Sequence, residues 1–454
     1  MTVGGEISYY VRPVNGDDSN NGTSFASAWK TWKHAVDELC NTGVSAGDPN
    51  NAILFMVNET GDLGYTGPWH GPTGTQSTLN YAFTSSGGRF QVCGLSADGN
   101  YDVGTNFIFD LSGFTGTHWL YAFGSANMNN NGIQWRNITW RNAASPTDSI
   151  MFTSYDGELA GTEFYHCIFE DNELDSRIIG LGSYGDTTQY YDCIIRRNNT
   201  YGYQSLFPAG NYGPATNRQP GALFTRCIFH DNQTDPSSFQ HITGTNSLNG
   251  QGVAHEDCVF YNNGYDTSNI VCFLHAHTEQ TYDRISNCIF FNNTGTALFL
   301  ENAESSDASY VTSVYGRKIF NNVFVNNNKA IEFEDEPGLR FSGFYNNLFY
   351  NNTSEDVPSY IQGMTGAGNN IVEDPQFTNG YSGDFSVPSD SPLYTKTLLN
   401  HGMPIGGYFV QKKEFSVTDE GSLSLGTGGV GDTVIVSGRS FQKVDDDPIV
   451  WRRV

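Results

Sequence analysis

The chain has 454 residues, with 48 acidic side chains against 23 Lys and Arg, a formal net charge of -25. That excess argues against nucleic acid and anionic membrane as partners, since both are held by basic patches. No apolar run of 18 residues occurs, so no membrane-inserted helix is expected.

The first residues, Met1-Thr-Val-Gly-Gly-Glu-Ile7, lack a basic region followed by an apolar core, which points to synthesis in a cytoplasm without a secretory leader. Residues 1–50 read as an N-terminal strand and capping helix. Tyr9-Tyr-Val-Arg-Pro13 suits a strand, and Asn15 to Gly22 a tight polar loop. From Ser27, taken as the N-cap, apolar residues at 28, 29, 32, 35, 36 and 39 have helical spacing. One amphipathic helix ahead of a solenoid would cover its open apolar end.

Residues 51–404 read as the solenoid. Asn51-Ala-Ile-Leu-Phe-Met-Val57, Arg89-Phe-Gln-Val-Cys93 and Asn106-Phe-Ile-Phe-Asp110 are its first strands. A phrase then recurs eight times: Asn137-Ile-Thr-Trp-Arg-Asn142, Cys167-Ile-Phe-Glu-Asp-Asn172, Cys193-Ile-Ile-Arg-Arg-Asn198 and Cys227-Ile-Phe-His-Asp-Asn232, then Cys258-Val-Phe-Tyr-Asn-Asn263, Cys288-Ile-Phe-Phe-Asn-Asn293, Asn322-Val-Phe-Val-Asn-Asn327 and Asn347-Leu-Phe-Tyr-Asn-Asn352. Successive first residues lie 30, 26, 34, 31, 30, 34 and 25 apart. β-branched and aromatic residues fit a pleated surface, and Asn and Asp turn the chain. One coil cannot bury its apolar side alone, so coils stack in parallel about 4.8 Å apart. The spacing predicts a ladder of Cys167, Cys193, Cys227, Cys258 and Cys288 continued by Asn137, Asn322 and Asn347, and a second ladder from the closing Asn of each phrase. The cysteines read as buried, reduced residues; Cys40, Cys93 and Cys272 are isolated, and with no Cys-x-x-Cys pair a zinc site is not expected.

A second strand follows each phrase, at 149–153, 177–180, 204–207, 239–242, 270–274, 297–300 and 330–333, and the long connections come after it. Insertions gathered on one side build a working face. If Phe273, Phe299 and Phe333 stack, then His275, Glu301 and Asp335 form one column, with Glu332 and Glu334 beside it. Such carboxylates could serve a glycosidase or supply the oxygens of a Ca²⁺ site; they equally suit the solvated turns of an acidic protein, and no other cofactor or metal is indicated. Tyr155, Tyr184, Tyr203 and Tyr212 fall near the same connections, where rings could stack on sugars or simply pack the loops.

Residues 405–454 lose the repeat and read as a small β module for oligomerisation or attachment, with Trp451, Arg452 and Arg453 as its contact residues.

Tyr10-Val11, Gly16-Asp-Asp-Ser-Asn-Asn-Gly22-Thr23, Trp29-Lys-Thr-Trp32, Asp374-Pro375-Gln-Phe377, Asp384-Phe385 and Ser391-Pro392 resemble the opening and closing coils of right-handed parallel β-helix proteins of the pectin-lyase-like superfamily. The resemblance covers about residues 9–404 and implies the fold more than the function. The Gly-His-Gly and Arg-Ile-Lys of polygalacturonase-like hydrolases and the Trp-Ile-Asp-His of pectate lyases are missing; Asp-Asp occurs only at 17–18 and within 445–447. The combination is similar to bacteriophage tailspike, fibre and capsid-decoration proteins. It implies a homotrimeric virion surface protein that joins other virion proteins and grips a host-surface polysaccharide. The alternatives are a polysaccharide hydrolase or lyase on the same fold, and a bacterial cell-surface protein.

Overall fold

A computed structural model describes residues 7–41, 52–67, 78–80, 91–113, 118–123, 133–145, 150–154, 162–174, 178–180, 188–200, 205–209, 221–234, 241–245, 252–275, 283–301, 317–333, 341–354, 367–396, 404–410, 433–436, 439–446 and 449–453. The chain winds into a parallel β-helix. A twelve-stranded sheet runs from Ile7–Val11 to Ala367–Gly368, and a ten-stranded sheet from Phe107–Asp110 to Ile371–Val372. Beside them lies a narrow sheet of four two-residue strands, Ala144–Ser145, Glu173–Leu174, Asn199–Thr200 and Gln233–Thr234. The last side holds a four-stranded sheet ending at Ile179–Gly180 and a five-stranded one from Ser205–Ala209 to Lys329–Phe333. Every pairing in these sheets is parallel. Among the described strands, the antiparallel pairs are those of the C-terminal meander of Thr433–Val436, Arg439–Asp446 and Ile449–Arg453.

Two corners of each of the eight repeated coils turn on a single left-handed residue. Before the ten-stranded sheet these are Asn137, His166, Asp192, Arg226, Asp257, Asn287, Asn321 and Asn346; after it, Asn142, Asp171, Arg197, Asp231, Asn262, Asn292, Asn326 and Asn351, all at φ between 52° and 61°. Asn and Asp tolerate this region better than other side chains bearing a Cβ, which is why six of the eight phrases end in Asn-Asn or Asp-Asn. Where Arg stands at a corner, a carboxylate one coil back holds it: Arg226 grips Asp192 at 2.6 and 2.7 Å.

Both predicted ladders form from Cys167 onward. Asn172, Asn198, Asn232, Asn263, Asn293, Asn327 and Asn352 are buried. Asn263 Nδ2, for example, donates to Phe229 O (2.9 Å) and Asn293 Oδ1 (3.1 Å), and the backbone N–H of Asn232 donates to Asn263 Oδ1 (3.1 Å). The five cysteines are buried and reduced, and burial holds Cys193 and Cys258 protonated, well above the ordinary thiol range. Inside, Phe229, Phe260, Phe290, Phe324 and Phe349 stack at 4.6 to 5.1 Å between ring centroids. A second column stacks Phe164, Tyr190, Phe224 and His255.

The first phrase is shifted by one residue from the expectation. Thr139 pairs with Ile168, so Ile138 lies level with Cys167 and Ala143 with Asn172. Asn137 and Asn142 occupy the two left-handed corners instead, because an Asn that turns the backbone and an Asn that joins a ladder look alike in sequence.

The helix begins later than expected, at Trp32–Val36, with Thr31 rather than Ser27 as its cap; Thr31 Oγ1 accepts from His34 N at 3.1 Å. Trp29 bridges to Val11 and stacks on Tyr9, which holds Trp29 on the strand side and out of the helix. Gly22 makes room for this Trp: at φ +70°, a Cβ there would fall 2.4 Å from the indole. Trp32, Ala35 and Val36 are buried in the core that includes Phe109 and Trp135, closing that end.

At the other end the chain folds back over the outer face of the ten-stranded sheet. Phe385, Val387, Leu393, Ile405 and Val410 pack on Val259, Ile289, Val323 and Leu348. Ser391 Oγ donates to Pro375 O at 2.7 Å and accepts from Leu393 N, joining the two Pro motifs of the closing segment. This cover reaches Val410, so residues 405–410 pack with the solenoid.

Candidate functional site

The acidic flank forms around the five-stranded sheet. Phe273 pairs with Phe299 and His275 with Glu301, as the spacing predicted. The next coil is out of step: Thr296 pairs with Lys329, Phe299 with Glu332 and Leu300 with Phe333. Between the ladder and the strand this coil has one residue, Asn328, where the coil before has two, Thr294 and Gly295. The column that required Phe333 opposite Phe299 therefore does not form as expected. Glu332 is half-buried and already engaged: Oε2 accepts from Thr296 Oγ1 (2.8 Å) and Oε1 pairs with Lys329 Nζ (2.5 Å). Glu334, Asp335, Tyr155, Tyr184, Tyr203 and Tyr212 lie outside the described residues. Trp451, Arg452 and Arg453 lie on the last strand, level with Lys443, Gln442 and Phe441. Among the described residues no group of three or more His, Cys, Asp or Glu is gathered as a metal site.

A better-formed surface lies at the corner between the ten-stranded and the narrow sheet. Asn142, Ala144, Asp171, Glu173, Arg197, Asn199, Asp231 and Gln233 line an open groove of about 710 Å³ that crosses four successive coils. The corner residues form one wall. Arg197 grips Asp171 at 2.6 and 2.8 Å and reaches Glu170 at 3.0 Å, and this pairing holds the Asp171 carboxyl below its usual range. Asn142 donates to Asp110 at 3.0 Å. Asp231 is held by His230 Nδ1 at 2.7 Å.

The narrow sheet forms the other wall. Its register stacks Ala144, Glu173, Asn199 and Gln233. These follow directly on the ladder Asn, so each is fixed from within: Asn199 N donates to Asn172 O and Gln233 N to Asn198 O, both at 2.8 Å. Glu173 and Gln233 are exposed and Asn199 half-buried. Sequence reasoning missed them because two-residue strands carry no periodicity. The available signal was a polar residue directly after the phrase in three consecutive copies.

An aromatic pair also escaped notice: Tyr165 and Tyr191 stack at 4.9 Å on the twelve-stranded sheet, with Arg136 over Tyr165 at 4.1 Å.

Comparison with known protein families and with curated proteins finds no match to the chain.

Proposed function

We propose that this is an adhesive surface protein of a bacteriophage particle, of the tailspike, fibre or capsid-decoration kind, whose β-helix carries contacts to a host-surface polysaccharide. The observation that supports this most is the one-sidedness of each coil. Two corners are single left-handed residues, whereas the connections leaving the last side run to several residues, as between Ala209 and Ala222 or Glu301 and Arg317. A rigid body with variable connections on one edge is suited to recognition, because the ladders fix the scaffold while the connections change. In this reading the protein is a homotrimer that joins other virion proteins through its C-terminal module.

A second reading, a polysaccharide hydrolase or lyase, is favoured by one feature, the pairing of His275 with Glu301 on adjacent strands. One experiment addresses both. Purified protein is incubated with a panel of bacterial capsular and O-polysaccharides, and both retention and newly formed chain ends are measured. Retention without cleavage supports adhesion. Cleavage abolished by Glu301→Gln establishes the enzyme, and neither retention nor cleavage removes both readings.

A further inference from the structure

We infer that the corner groove between the ten-stranded and narrow sheets is a binding site for an uncharged, hydroxyl-rich oligosaccharide lying along the solenoid axis. The inference rests on the glycan-binding reading above and adds a place and a ligand class.

Three observations carry it. The first is shape: the groove is continuous over four coils, roughly 14 Å at the spacing of parallel strands. It accordingly suits an extended chain better than a compact molecule.

The second is the state of its polar groups. The side chains of Glu173, Asn199 and Gln233 make no hydrogen bond within the described protein, although their neighbours Asn142, Asp171, Arg197 and Asn198 are all engaged. The parallel register sets the three in one row at the coil repeat. The row is bounded by small residues, Ala144 at one end and Gly264 at the other, whose N–H donates to Asn232 O just as Gln233 N does to Asn198 O. Amides donate and accept at once and a carboxylate accepts through two oxygens. A sugar hydroxyl does both, so a row of such groups matches successive rings.

The third is charge. Asp171, Glu173 and Asp231 face one guanidinium, Arg197, which its carboxylate partners already neutralise. A uronate, sialate or phosphate chain would meet uncompensated negative charge. With no large apolar side chain in the lining, a lipid or an apolar peptide gains nothing there.

The test uses the full chain on an array of neutral oligosaccharides of glucose, galactose, mannose, rhamnose and N-acetylglucosamine, beside uronate- and sialate-containing ones and an oligolysine. The best neutral binder is then titrated by calorimetry against Asn199→Ala, Gln233→Ala and Glu173→Gln, with Thr353→Ala as a control in the same column but outside the groove. We expect neutral oligomers to bind. Asn199→Ala and Gln233→Ala should each weaken binding about tenfold, the effect of one lost hydrogen bond with an unpaired partner, with Glu173→Gln weaker in effect and Thr353→Ala silent. Neutral glycan binding that survives the Asn199→Ala, Gln233→Ala double variant places the site elsewhere and overturns the inference while sparing the adhesive reading. Preference for acidic glycans or oligolysine also overturns it. No glycan binding of any kind overturns both. Circular dichroism confirms that each variant retains the β-helix.

Discussion

Cys288 and Asn322 do the same work in successive coils. Cys288 Sγ donates to His255 O at 3.5 Å, and Asn322 Nδ2 donates to Ile285 O at 2.9 Å, each reaching the equivalent carbonyl of the preceding coil. Asn322 Oδ1 also accepts from Cys288 N at 2.9 Å. A thiol and an amide alternate at this place because both put a donor in the same position.

The exchange is therefore expected to be tolerated. Cys288→Asn should fold and melt close to the parent, since Asn322 continues the ladder. Cys227→Asp should cost several kcal/mol, because it buries a charge inside the ladder while the neighbouring Arg226 is already paired with Asp192. Thermal melts measure both, and a thiol reagent should find all five ladder cysteines unreactive until the protein is denatured.

Asn263 lies in the middle of the second ladder. Asn263→Ala leaves the Asn232 N–H and the Phe229 carbonyl without their bonds inside a buried site. A loss of about 2–3 kcal/mol is expected, against a few tenths for Thr353→Ala on the surface; equilibrium denaturation measures the difference.

His255 gives the fold an acid sensitivity. It is fully buried in an aromatic column with Nε2 3.0 Å from Thr243 Oγ1, and burial lowers its pKa from 6.5 to about 3. Between those values the unfolded chain binds the proton and the folded one does not, so stability falls as pH drops from about 6.5 toward 3. At pH 4 the loss from this group is about 3 kcal/mol. His255→Phe, which continues the Phe224 stack and keeps the edge contact with Phe260, should remove that part of the pH dependence. Denaturation midpoints of both proteins at pH 7 and pH 4 give the comparison.

Truncation after Val410 keeps the cover over Val259, Ile289 and Val323 and removes the antiparallel meander. The truncated chain should fold as a β-helix but lose the oligomeric state of the full chain, and Trp451→Ala should weaken that state in the same direction. Light scattering on both proteins decides it. An unchanged oligomer would reduce the meander to an accessory.

The repeated phrase made the stacking, both ladders and the second strands legible, because the first and third residues of each phrase, mostly Cys and Phe, must face inward at fixed spacing once the coils are parallel. Registers were less so. Asn137 and Asn142 turn the chain where ladder positions were expected, and one extra residue at Thr294-Gly295 moved Glu332 opposite Phe299. The groove was hidden for another reason. Asp171 and Glu173 approach Arg197, Asn199, Asp231 and Gln233 only through coil stacking, and strands of two residues leave no pattern to read.

The amide ladder has a direction. Each Asn, from Asn172 to Asn327, sends its backbone N–H and one Nδ2 hydrogen forward to the Oδ1 of the following coil, and the other Nδ2 hydrogen back to a carbonyl of the coil before. A coil emerging from the ribosome thus finds two donors waiting on its predecessor and brings the oxygen that satisfies them. The solenoid can set in the order of its synthesis, each turn completing the one already made.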